Sequence, residues 1–89
     1  MSVWRLDTTN EFEKALKKLD KPLRQRIAAA LDDISELANP RSRGRGLTGN
    51  LAGYWRYRIG HYRILVDIQD DRLVIIAIGV GHRSTVYDD

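Results

Sequence analysis

Apolar and polar residues follow two different periods along this chain. Val3-Trp4-Arg5-Leu6-Asp7 alternates, which predicts a short first strand. Thr8 then opens a helix: its hydroxyl caps the first turn, and Glu11 three positions on completes a capping box. Phe12, Ala15, Leu16 and Leu19 fall at i, i+3, i+4 and i+7 and make one apolar stripe. Asp20-Lys21-Pro22 breaks that helix and begins the next, with Asp20 as N-cap and Pro22 tolerated in the first turn. Leu23, Ile27, Ala30, Leu31, Ile34 and Leu37 carry the helical spacing on to Asn39-Pro40, where it must stop.

The second half reads differently. Residues 41–53, RSRGRGLTGNLAG, hold four glycines and three arginines and predict a loop. From Tyr54 the period becomes two. Tyr54–Ile59, Tyr62–Gln69 and Arg72–Val80 are three expected strands, joined by two-residue turns at Gly60-His61 and Asp70-Asp71. The last of them, LVIIAIGV, is apolar without alternation, so it should be central and covered on both faces. The tail GHRSTVYDD is expected to leave the sheet at Gly81. The fold class is α+β: an N-terminal strand, a helical hairpin, then a three-stranded antiparallel meander. With no internal repeat and no linker, residues 1–89 are expected to form a single domain.

Composition narrows the function. Apolar residues make up 43% and charged residues 30% of the 89, the balance of a soluble globular protein. No run approaches the roughly 20 apolar residues that cross a bilayer, and the N-terminus lacks a signal-peptide core, so no membrane association is expected. There is no cysteine, which removes disulfides, zinc–cysteine sites and thiol nucleophiles together and makes the cytoplasm the simplest location. The net charge of +3 is unevenly spread. Residues 1–40 balance seven basic against seven acidic side chains, whereas residues 41–89 carry eight Arg, no Lys and five Asp. Arg41 to Arg63 holds six Arg and no acid. Guanidinium groups fork onto phosphate and stack on bases, so a polyanionic partner follows if these arginines converge; otherwise they form a solvated basic face.

Strand alternation decides which of them converge. If Gly60-His61 is the turn, Arg58 lies opposite Arg63, and Arg56, Arg58, Arg63 and Leu65 share one face. Asp67 shares that face and would neutralise part of the patch, one Asp against three or four Arg. His82, Arg83 and Tyr87 follow the central strand, where a turn would fold them over the same face. Guanidinium groups to hold phosphate and an aromatic ring to stack on a base suit RNA. The chemistry would be 2′-OH attack on the neighbouring phosphate, with Arg stabilising the developing charge and His or Tyr moving protons. The glycines of 44–53 precede a strand, so nucleotide-loop chemistry is excluded, and two histidines without clustered acids make no metal site. No cofactor is expected.

Taken together, GYWRYRIGHYRILVDI, a short Asp turn, LVIIAIGVGHR and STVY resemble the RelE/ParE superfamily of toxin–antitoxin toxins over nearly the full length. The most specific pieces are Tyr62-Arg63 after a tight turn and Gly81-His82-Arg83 followed by Val86-Tyr87. The RelE branch, ribosome-dependent endoribonucleases that cleave mRNA in the A site, is the nearer likeness; ParE-type relatives poison DNA gyrase, and their tails generally lack this Tyr. The resemblance implies a catalytic set of Arg56, Arg58, Arg63, Arg83 and Tyr87; the residues themselves add His82 as a proton carrier and Arg41, Arg43 and Arg45, from the acid-free basic run, as RNA-binding residues. Arg63 matches the arginine on the scissile phosphate, and Tyr87 the tyrosine that stacks on the base. Arg56 and Arg58 stand where the prototype has lysines. Arginine cannot give up its proton, so Tyr87 or His82 would have to accept one, with His61 a third candidate whose turn position favours a structural role. The resemblance further implies a RelB-like antitoxin, the ribosome and mRNA as partners, and operator DNA bound only through the antitoxin. A gyrase-binding toxin without nuclease chemistry is the alternative, and a relative that only binds antitoxin or RNA is a third.

Overall fold

The computed structural model describes residues 3–82. Five strands and two helices follow in the order β1 (Arg5–Thr8), α1 (Asn10–Lys17), α2 (Lys21–Ser35), β2 (Arg45–Gly46), β3 (Trp55–Ile59), β4 (Tyr62–Gln69) and β5 (Val74–His82). The sheet order is β1-β5-β4-β3-β2. β3, β4 and β5 form the expected antiparallel meander, and β1 closes the far side by pairing parallel to β5, with Leu6 beside Ile75. β5 is therefore interior, as its unbroken apolar run requires. A helix-bearing crossover between β1 and the strand it joins is what a parallel pair demands.

The helices lie on one face of this sheet. Phe12 from α1 and Ile27, Leu31 and Ile34 from α2 meet Tyr57, Ile59, Ile64, Val66, Ile68, Ile75 and Ala77 in one buried cluster. Phe12, at 1% exposure, is the anchor of α1, and burying such a ring contributes roughly 2–3 kcal/mol. Trp4 joins the same core, and its indole N–H donates to the Ala38 carbonyl at 3.4 Å. Trp55 packs against the core from the rim.

Several boundaries differ from the sequence expectation, each for a physical reason. Thr8 ends β1 instead of capping α1; Thr9 is the N-cap, and its Oγ1 accepts the Phe12 amide at 3.1 Å. Thr8 instead shares a 3.0 Å hydrogen bond with Glu13. Asp20 is the N-cap of α2 but makes no side-chain cap bond, and α2 stops at Ser35 before Asn39-Pro40. The expected loop contains the two-residue strand β2 and two short 3-10 turns, Pro40–Ser42 and Gly49–Leu51. The β4–β5 connection is not a two-residue turn. Gln69 pairs with Val74, leaving Asp70 to Leu73 as the loop, and Leu73 adopts φ 53° there. β5 runs through Gly81 to His82, two residues beyond the expected strand end at Val80.

Candidate functional site

The register of β3 on β4 is the one the alternation requires: Ile59 pairs with Tyr62 and Arg58 with Arg63 across the Gly60-His61 turn. Gly60 holds φ +60°, a conformation glycine adopts without cost. Arg56 lies opposite Leu65, and β2 adds Arg45 opposite Arg56. Arg45, Arg56, Arg58 and Arg63 therefore stand on one face, the side away from the helices. Across β5 the same rungs end at Gly79, opposite Leu65, and Gly81, opposite Arg63, so β5 places no side chain on this part of the face. Those two glycines were read in the sequence only as part of an apolar run and a tail motif.

The four arginines are not equally accessible. Arg56 and Arg63 are 4% and 6% exposed, whereas Arg45 and Arg58 lie at the surface. Arg45, Arg56, Arg58 and Gly44 line one depression. A second, of about 240 Å³, is lined by Arg58, Gly60, His61 and Arg63. Among the described residues no carboxylate lines either. Asp67 sits four residues along β4 from Arg63, about 13 Å away in an extended strand. Its carboxylate accepts from Gln69 Nε2 at 3.0 Å. Phosphate held in such a hollow would meet charge-assisted donors from two strands at once.

The loop arginines divide by position. Arg41 donates to Asp70 at 2.8 Å and lies 6.0 Å from the Trp55 ring centre, tying the segment after α2 to the β4–β5 loop. This hydrogen bond holds the Asp70 carboxyl below its ordinary range and raises Arg41. Arg43 is exposed, and its backbone carbonyl accepts the Trp55 indole N–H at 2.7 Å. Only Arg45 reaches the strand cluster. Pro40, just upstream, is fixed from below: the Tyr57 hydroxyl donates to its carbonyl at 2.7 Å, and burial pushes that phenol up to about 12.

The histidines meet at the hairpin end. His82 pairs with Tyr62, so its register position falls on the helix-side face with Tyr62 and Ile59, not on the arginine face. Its ring contacts Tyr62 edge-on at 5.4 Å and lies 6.2 Å from the His61 ring. His61, expected to be structural, borders the hollow beside Arg58 and Arg63. Arg83 and Tyr87 lie outside the described residues.

Comparison with known proteins agrees with this architecture. Residues 6–87 match the family model of the ParE toxin of type II toxin–antitoxin systems. Toxin RelG of Mycobacterium tuberculosis is 33% identical over 61 residues, 68% of either chain. In a RelBE toxin–antitoxin complex from the same organism, one chain superposes with a TM-score of 0.83 at 28% identity, covering 94% of this chain and 95% of that one. A RelB–RelE complex of Methanococcus jannaschii gives 0.70 at 28% identity, over 92% and 95%. The isolated RelE toxin of E. coli shares the fold at 0.72 and 21% identity, over 90% and 84%. The chain belongs to the RelE/ParE superfamily of toxins from type II toxin–antitoxin systems.

Proposed function

We propose that this toxin is a ribosome-dependent mRNA endoribonuclease of the RelE kind, acting in the cytoplasm as one domain of residues 1–89. The observation that carries the reading is the convergence of Arg45, Arg56, Arg58 and Arg63 from three strands on one face, with His61 at its edge. Arg58 and Arg63 would hold the scissile phosphate and offset the charge that grows on it as the 2′-oxygen attacks. Arg45 and Arg56 extend the grip along the RNA backbone, and Arg83 and Tyr87 complete the set as further phosphate and base contacts. The ribosome would deliver the mRNA already bent for in-line attack, which is worth several orders of magnitude in rate.

The partner in the resting cell would be a RelB-like antitoxin, as in the complexes of the M. tuberculosis and M. jannaschii relatives. Its acidic or apolar side chains would cover the arginine face, and binding to the folded toxin alone would stabilise it by mass action. Operator DNA would be bound through the antitoxin. The name of the matched family model keeps one second reading in play, a gyrase inhibitor without nuclease chemistry.

Primer extension on mRNA in a reconstituted translation mix separates the two. New 5′ ends that require both ribosomes and Arg63 are expected from the wild type and absent with Arg63→Ala. Intact mRNA together with inhibition in a DNA-supercoiling assay would replace this reading with the gyrase one.

A further inference from the structure

We infer that His61 and His82 form the acid–base pair of the RNA cleavage, an inference that rests on the nuclease reading above. Cleavage by the 2′-hydroxyl needs two proton transfers, and arginine supplies neither because its guanidinium stays protonated. Imidazole is the side chain whose ordinary titration provides both a proton acceptor and a proton donor near neutral pH. The fold brings this chain's two histidines together from different places in the sequence, with ring centres 6.2 Å apart and planes inclined by 34°. Both are exposed, and the edge-on contact of Tyr62 at 5.4 Å fixes the His82 ring. His61 lines the same hollow as Arg58 and Arg63, and His82, whose register falls on the other face at the end of β5, meets that edge of the hollow through the His61 ring.

Among the described residues, the charged groups beside the Gly60-His61 turn are cationic. Arg58 and Arg63 approach from β3 and β4. Arg26 reaches over the turn from α2: its Nη1 would lie 3.1 Å from a Cβ placed on Gly60. Such a surround favours an anion between the rings. In the step itself, the neutral imidazole takes the 2′-OH proton as the 2′-oxygen bonds to phosphorus. The bond from phosphorus to the 5′-oxygen breaks, and the imidazolium gives its proton to that oxygen. The products are a 2′,3′-cyclic phosphate and a 5′-hydroxyl. The two histidines end with their protonation states exchanged, so no further reactant is required. In-line attack puts the entering and leaving oxygens on opposite sides of phosphorus, an arrangement for two separated rings.

The test is single-turnover cleavage of ribosome-bound mRNA from about pH 5 to about pH 9, where histidine changes charge. It compares the wild type, His61→Asn and His82→Asn, with thermal melting of each. The wild type is expected to give a bell-shaped profile. Each variant should melt like the wild type, lose one limb of the bell, and fall by about 10²-fold or more at neutral pH. The limb that disappears identifies the acid and the base. A bell that survives in either variant, or a pH-independent wild type, overturns the pair while leaving the nuclease reading intact. A wild type that cleaves nothing overturns both.

Discussion

Gly44 is the backbone position on which the arginine face most depends. It precedes β2, holds φ +78°, and lies so close to β3 that a methyl group there would run into the Arg56 carbonyl oxygen. The same methyl would sit 2.8 Å from Trp55 Nε1 and 2.9 Å from Tyr57 Cδ1. Gly44→Ala therefore carries two costs. The left-handed backbone alone costs an L-residue about 1–2 kcal/mol, partly offset by the smaller entropy of the unfolded alanine chain. Forcing apart a packed backbone adds about 1–3 kcal/mol, because neither β3 nor the buried Tyr57 can move without breaking its own pairing. Gly49 isolates the first cost: it holds φ +63° with nothing within 4 Å of its would-be Cβ. In thermal or urea unfolding, Gly49→Ala should lose about 1 kcal/mol. Gly44→Ala should lose on the order of 3 kcal/mol in total, about 12–24 °C in melting temperature for a domain of this size. Equal losses in the two variants would refute the close approach of β2 to β3, and with it the placement of Arg45 beside Arg56.

Other positions give independent checks. Thr9→Ala removes the cap of α1 and should cost about 1 kcal/mol in urea unfolding, whereas Thr8→Ala should be near neutral; the reverse order would restore Thr8 as the cap. Tyr57→Phe deletes the buried bond to Pro40 and should cost about 1–2 kcal/mol at neutral pH. Because folding raises the Tyr57 pKa from about 10 to about 12, the wild type holds this phenol's contribution below pH 10 and loses it as the pH climbs towards 12. The gap between wild type and Tyr57→Phe should therefore close over that window in alkaline unfolding, and a gap that widened would contradict the assignment. Arg58→Ala removes an exposed cation from both hollows and should leave stability within about 0.5 kcal/mol while abolishing translation arrest in vitro; full arrest by a well-folded variant would exclude Arg58 from the site.

Much of this arrangement was legible in the residues. The alternation of Trp55–Ile59 and Tyr62–Gln69 around a glycine turn was enough to place Arg58 opposite Arg63, because period two leaves a single register that keeps Tyr57, Ile59 and Ile64 on the core side. The parallel partner of β1 was not legible, since pairing between the two ends of a chain leaves no local period. Adjacent threonines offer equal caps, and the Thr8–Glu11 spacing pointed to the wrong one. Asp70-Asp71 looked like a complete turn because nothing about Leu73 marks it for a left-handed backbone. β2 is too short to show a period, so Arg45 could not be separated from Arg41 and Arg43, whose backbone and side-chain bonds serve the fold. The burial of Arg56 and Arg63 was equally invisible, since a charged residue in a strand reads as solvent-facing. The meeting of His61 with His82 depends on β5 running two residues further than its pattern indicated.

The central claim, an arginine-held phosphate attacked by its own 2′-hydroxyl, is tested most directly by the chemistry of the cut ends. mRNA fragments from a reconstituted translation reaction would be analysed for their terminal groups, with wild type and Arg63→Ala side by side. A 2′,3′-cyclic phosphate on the upstream fragment and a 5′-hydroxyl on the downstream one, both absent with Arg63→Ala, are the expected result. A 5′-phosphate at the cut, or cleavage that survives the loss of Arg63, would contradict it.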